Sequence, residues 1–369
     1  MNWAVAKWSP SYPGLWNILP AKIQNCDPGS MKQSTKPPPN HRTRTADTKV
    51  IEALRTIAEI SFFWLFVTQF SSLLTALSFP LMRVTTRRCH PRERALSLLV
   101  YGLLPPFIAA WVVALSMHPA LTGLFQPPHC HQNDCSPHTP LITRESIVGA
   151  AMASVAFLLL MVFITLVYNR VQRAQRKLMT LESLSLEQSS APEQLPFRII
   201  DSTSLLAWCS GLWKPTVFVS KGLLNRLSKE QLQVVLSHEF CHARRGDNLR
   251  KTILHIATAL WPNKLRRHIK ADLNAACEEV CDLEAADQTQ SKSLVTAVIK
   301  LLQNADSNSK QIQLSSFAAT ETRQRVTALE TETPHRSGVF CWSFLLILLV
   351  METLLFTSTS HGVLEWLTH

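Results

Sequence analysis

The chain has 369 residues and a formal net charge of +11; hydrophobic residues make up 46% of it and charged residues 17%. That is rich for a soluble protein and lean for a pure transporter, and the length suits two modest domains or one domain with several membrane spans. Nine scattered cysteines exclude a small disulfide scaffold, and the basic excess lies in Arg clusters flanking apolar runs, the mark of cytoplasmic membrane loops rather than of a nucleic-acid site.

Residues 1–50 carry many Pro, Ser, Lys and Arg, with Pro37, Pro38 and Pro39 in a row. They show no sustained period and read as a disordered extension, with Met31 an alternative start. Four apolar runs follow, at about 60–82, 95–117, 147–168 and 339–357, each close to the roughly 20 residues that a helix needs to cross a bilayer. Pro105 and Pro106 should kink the second run. Glu352, inside the fourth, reads as lying near the outer interface.

Arg83, Arg87, Arg88, Arg92 and Arg94 crowd the segment after the first run, whereas 117–146 holds only Arg144. The Lys/Arg bias therefore puts that first segment and the 169–335 block in the cytoplasm, with 117–146 and both termini outside; the basic residues of 1–50 run against this placement. In the outer loop, Cys130 and Cys135 suit a disulfide in an oxidising compartment, a reading favoured over a metal site built with His129, His131 and His138.

The block 169–335 has the texture of a soluble domain. Residues 171–184 continue the third run as a charged helix. Short strands are expected at 197–200, 205–209 and 216–220, parted by turn signals at 201–204 and 211–215. Ser228, followed by Glu230 and Gln231, opens a helix with an apolar stripe of Leu232, Val235 and Leu236. That helix carries the HEFCH motif and ends near Gly246 and Asp247. Further helices are expected at about 248–260, 269–287 and 291–303. The architecture is then an α-helical membrane protein with four spans: a 1–50 extension, three spans in 51–168, an α+β cytoplasmic domain in 169–335, and a last span with a short outer tail in 336–369.

His238 and His242 are one helical turn apart and share a face, so their imidazoles can hold one zinc ion. Glu239, offset by about 100°, can reach a water on that ion without being a ligand. A third protein ligand is needed. The EEVCD cluster places Glu278 and Asp282 on one helix face, suiting Glu278 to ligation and Asp282 to orienting a zinc histidine. Glu279 and Glu284 are alternative ligands; Cys277 and Cys281 share a spacing of four but suit a structural rather than an open site.

LSHEFCHARRGDNLRK, EEVCDLEAAD and the upstream LAWCSGLWKPTVFVSKGLLNRLSKEQLQVVLSHE resemble the BlaR/MecR family of membrane metallopeptidases over about 50–335 and the last span. The three-before, one-after placement of spans is similar too. The resemblance implies a gluzincin-like protease with one catalytic Zn²⁺ held by His238, His242 and Glu278, and with Glu239 as base. It gives Asp247 a structural or orienting role. SSFAATETRQRVTAL, with Arg323 and Arg325, looks like the family's stretch before its last span. Such proteases bind substrate as an added strand, and Thr216, Val217, Phe218 and Val219 are the candidate edge, with Trp208 and Trp213 as packing residues. About a dozen residues follow the last run, without an SxxK motif, so the penicillin-binding sensor of the antibiotic-sensing members is not expected; sensing, if the chain does any, falls to the 117–146 loop or to a separate sensor partner.

The resemblance implies an integral-membrane zinc endopeptidase of signal-transduction type in a bacterial inner membrane. It would cleave a cytosolic transcriptional repressor, itself, or both, by Glu-assisted attack of zinc-bound water on a peptide bond. The alternatives are an HtpX-like quality-control protease, which the span count disfavours, and a non-catalytic receptor or scaffold. No direct nucleic-acid binding is expected.

Overall fold

The computed structural model describes residues 41–87, 89–118, 147–188, 196–307, 315–330 and 338–368. Cys130 and Cys135 lie outside them, as do His129, His131 and His138. The four apolar runs become helices long and apolar enough to cross a membrane: α1 (His41–Thr86), α2 (Pro91–Ser116), α3 (Ile147–Ser183) and, at the end of the chain, α10 (Val339–Thr368). Helix α1 starts earlier than expected. Residues 41–50, read as part of a disordered extension, are helical, since apart from length nothing in HRTRTADTKV forbids a helix: it has no Pro and no Gly. Helix α2 opens with Pro91 in its first turn and His90 accepting from the Arg92 backbone. It runs on through Pro105 and Pro106, and the Trp64 indole donates to the Pro106 carbonyl at 3.2 Å.

Glu352 lies inside the helix bundle and has partners there. It is 1% exposed and accepts hydrogen bonds from the Ser71 and Thr75 hydroxyls of α1. Two donors one turn apart on α1 satisfy both carboxyl oxygens, so the acid can stay inside the helix bundle.

The middle of the chain builds a four-stranded sheet from β1 (Leu186–Gln188), β2 (Phe197–Ile200), β3 (Ala207–Ser210) and β4 (Thr216–Ser220) in the order β1-β2-β4-β3. β2 and β4 are parallel, with Arg198 opposite Phe218; β1 and β3 run antiparallel to their neighbours. Then come α4 (Lys221–Arg226), α5 (Lys229–Arg245), α6 (Asp247–Ala257), α7 (Asn263–Thr289), α8 (Lys292–Ser307) and α9 (Ser315–Glu330). One core joins the inner face of the sheet to α5, α8 and α9, through Val217, Val219, Val234, Val235, Val298 and Leu329 among others.

Ser228 caps α5 as its sequence foretold: its hydroxyl accepts from Gln231 and the Gln231 side chain accepts from Ser228, a reciprocal capping box. Gly246 ends α5 with φ of 63°, a left-handed conformation that side-chain-bearing residues resist. The turn leads straight into α6, so Asp247 begins the next helix facing back toward the end of α5.

A second core unites the spans with the helices after the sheet. Phe79 and Tyr101 meet Trp261 at ring centroids 6.0 and 5.9 Å apart, and Leu254, Ile269 and Leu273 join the same cluster. Each such fully buried side chain contributes about 1.5–3 kcal/mol. Gly102 permits the contact, because a β-carbon there would come within 2.3 Å of the Leu254 side chain. Ion pairs reinforce the seam: Arg83 reaches Asp272 at 2.8 Å, Arg94 reaches Glu279 at 2.8 Å and Arg92 reaches Glu284 at 3.0 Å. Thus α7 is held both to the sheet domain and to the corner between α1 and α2.

Candidate metal centre

His238 and His242 stand one turn apart on α5, and their Nε2 atoms face each other at 3.2 Å. Glu278 on α7 places Oε2 at 3.3 Å from His238 Nε2 and Oε1 at 3.3 Å from His242 Nε2. The Nε2–Nε2 separation is close to the edge of a coordination tetrahedron, and each imidazole has its own Glu278 oxygen at a similar distance. Ligand bonds of about 2.0–2.1 Å, as zinc makes to nitrogen and oxygen, give donor–donor edges of about 3.3–3.4 Å. The donors all lie within 4.8 Å of one another. Two imidazoles and one carboxylate, open on one side, form a set that fits a catalytic zinc.

The outward nitrogens are engaged too. His238 Nδ1 bonds Asp282 Oδ1 at 3.0 Å and His242 Nδ1 bonds Asp247 Oδ2 at 2.9 Å. A carboxylate partner keeps the proton on Nδ1 and leaves the Nε2 lone pair aimed inward. Asp282 and Asp247 are each 1% exposed, so both rings are held by rigid partners. Asp247 owes its place to the Gly246 turn, Asp282 to its one-turn offset from Glu278.

Burial disfavours charge on His238, but the hydrogen bonds and negative charge of Asp282 and Glu278 win and push its pKa up to about 10. His242 shifts upward for the same kind of reason: burial opposes, Asp247 and Glu278 prevail. Burial also works against the Glu278 carboxylate, and the two histidines hold it well below its ordinary range nonetheless. Asp282 is held down against its own burial by Arg325 and His238. The pocket between the imidazoles is therefore built to stabilise positive charge.

Glu239, beside the two histidines on α5, lines a cleft of about 810 Å³ together with His238, Glu278 and Arg325; Val234, Val298 and Ile299 form part of its apolar wall. Glu279 and Glu284, weighed as alternative ligands, are taken by arginines: Arg94 holds Glu279, and Arg92 and Arg244 hold Glu284. Cys281 lies 3.4 Å from His242 Nδ1 and 4.0 Å from Asp247 and forms a second metal-type group with them. That group is on the outward side of His242, and neither Cys281 nor Asp247 lines the cleft.

Two expectations need correction. Thr216, Val217, Phe218 and Val219, read as a substrate-binding edge, belong to an interior strand paired on both sides by β2 and β3. The sheet edge on this side is β3, and residues 203–207, leading into it, line the cleft. Asn248 donates to the Cys209 and Gly211 carbonyls at 3.0 and 3.3 Å, closing the far part of that edge. Of the tryptophans, Trp208 does pack, stacked on Phe218 at 5.5 Å, but Trp213 is 67% exposed.

The sequence alone shows no role for Arg325. From α9 it makes a two-pronged bond to Asp282, at 2.7 and 2.6 Å. Lys251 on α6 approaches Glu278 Oε1 at 3.7 Å. Nothing local to HEFCH could have shown either contact, since both depend on how helices cross.

The family model described as BlaR1 peptidase M56 matches residues 137–357. The chain belongs to this family. The match takes in the third span, the sheet, both histidines, Glu278, Arg325 and most of the last span. No curated protein and no solved structure matches the chain. Membership in the M56 family makes this a metallopeptidase, a hydrolase of peptide bonds, and its four long apolar helices accord with a multi-pass membrane protein.

Proposed function

We propose that the chain is a zinc-dependent endopeptidase with a gluzincin-like site, facing the cytoplasm and acting in signal transduction. The observation that carries the chemistry is the convergence of His238, His242 and Glu278: the two Nε2 atoms lie 3.2 Å apart, and each lies 3.3 Å from one of the two Glu278 oxygens. Zinc held there supplies Lewis-acid chemistry and an acidified water. Asp282 and Asp247 hold the imidazoles in the tautomer that ligation needs. Glu239 takes the proton of the attacking water and passes it to the leaving amine. The apolar cleft wall and the segment 203–207 receive the peptide, and the free edge there offers main-chain bonds to an extended substrate.

The cytoplasmic placement rests on the arginine-rich segment after the first span, set against the single Arg144 of 117–146. The substrate proposed is a cytosolic transcriptional repressor, this chain itself, or both, with a separate sensor partner supplying the signal. Family membership and the basic, intracellular-type corner that clamps α7 support this role.

Wild type and Glu239→Gln, expressed in membranes, test the mechanism. The variant should keep its zinc and lose about 10²–10⁴-fold in cleavage of co-expressed repressor proteins or of itself, the range for removal of a general base. Equal cleavage by the two would overturn the assignment.

A further inference from the structure

Glu278 and Asp282 project from one face of α7, one turn apart, with a single guanidinium across both. Arg325 Nε lies 2.7 Å from Asp282 Oδ2 and one terminal nitrogen lies 2.6 Å from Oδ1. The other terminal nitrogen is 3.4 Å from Glu278 Oε2. The same Asp282 Oδ1 also meets His238 Nδ1, and the same Glu278 Oε2 also faces His238 Nε2. Arg325 thus shares with His238 one oxygen of each of the two carboxylates that frame that imidazole.

The arrangement is fixed from behind. Val326 and Leu329, on the same helix, are 9% and 2% exposed and packed into the core of the sheet domain. The guanidinium itself comes from a partly exposed side chain, at 23%, and lines the cleft beside Glu239. Lys251 does not duplicate it: it sits by Glu278 Oε1, on the opposite oxygen, at 3.7 Å.

We infer that Arg325 is a positioning residue of this site, holding Glu278 and Asp282 together so that Glu278 and His238 present their metal-facing atoms. The inference rests on the zinc reading above. Two carboxylates one turn apart on a helix repel, and a guanidinium bonded to both offsets that repulsion. A planar fork can serve two acceptors on Asp282 and reach Glu278 with its remaining nitrogen. An ammonium is a point charge and can serve one carboxylate well but not both. Arg325 therefore belongs to the metal centre although it lies 43 residues beyond Asp282, on a helix that contributes no ligand.

The test is zinc affinity, read by competition with a chromophoric chelator on the full chain in detergent. Arg323→Ala serves as the variant expected to bind zinc as wild type does. Arg325→Ala should weaken zinc by about 10–100-fold, the usual cost of losing a group that orients ligands, and Arg325→Lys should recover only part of that loss. Sub-denaturing guanidinium chloride should restore affinity to Arg325→Ala, by refilling the space beside Asp282, and should leave wild type unchanged. A folded Arg325→Ala protein with wild-type affinity overturns the inference, as does a weakened one that guanidinium cannot rescue. If Arg325→Ala fails to fold, Arg325→Lys decides: wild-type zinc affinity in that variant overturns the inference too. Absence of zinc binding by wild type itself would instead sink the zinc reading on which the inference rests.

Discussion

Two of the acidic sites among the described residues are built on opposite plans. On α7, Glu278 and Asp282 are met by charge: two imidazoles, the Arg325 guanidinium and the Lys251 ammonium. On α10, Glu352 is met by the hydroxyls of Ser71 and Thr75. The first plan makes every member dependent on the others, because removing one charge strands its partners in a poorly hydrated place. The second depends only on hydrogen-bond geometry, which a neutral group can also satisfy. The same side-chain chemistry is therefore expected to be intolerant of change near the sheet and tolerant of it among the spans.

The sharpest break in that comparison should come from Asp282→Ala. It leaves Arg325 and His238 facing a hole, and the cost should be about 3 kcal/mol, the lower part of the range for breaking a buried pair because Arg325 is partly exposed. Thermal unfolding in detergent measures it, and a loss below about 1 kcal/mol would place the cluster with ordinary surface pairs.

Metal removal should expose the charge plan as a pH dependence. His238 has a folded pKa of about 10 against an ordinary 6.5. Its contribution to metal-free stability is then full below about pH 6.5 and is lost as pH rises toward 10. Glu278 and Asp282 are held below ordinary values of 4.5 and 3.8, so theirs is present above those values and lost as pH falls through the lowered ones. Chelated protein should be most stable between about pH 4.5 and 6.5. Added zinc competes with protons for the histidines and should move that optimum upward. An optimum unmoved by zinc would contradict the proposed ligands.

A smaller effect is expected on the other side of the comparison. Glu352→Gln keeps an acceptor for Ser71 or Thr75 and should cost less than about 1 kcal/mol, whereas Glu352→Leu removes both bonds and should cost about 1–2 kcal/mol. Equal losses for the two variants would mean that charge matters here as well. Least of all should follow from Arg92→Ala. Its pair with Glu284 is open to water, with Arg92 at 63% exposure, and a change within about 1 kcal/mol is the norm for such contacts.

Much of the site was readable before any fold was known, for local reasons. A spacing of four on a helix places His238 with His242 and Glu278 with Asp282 whatever surrounds them. The Ser228 cap and the Gly246 stop depend only on neighbours along the chain. Strand order does not: β4 is as apolar as an edge or a centre strand can be, and only the pairing of β2 and β3 on its two sides makes it interior. The partners of Glu352 were not readable for a similar reason, because its two hydroxyl donors are 281 and 277 residues away.

By itself, then, the sequence determined the long apolar helices, the motif helix and the pairs of candidate ligating and orienting groups that share a helix face, because helical periodicity is short-range. Only the tertiary structure decided that α5 and α7 approach closely enough to bring three metal-type donors within 4.8 Å, that Arg325 bridges Asp282 and Glu278, and that the sheet offers β3 rather than β4 as its edge. These depend on which faces bury against which, a choice made by the two cores together and not by any one segment.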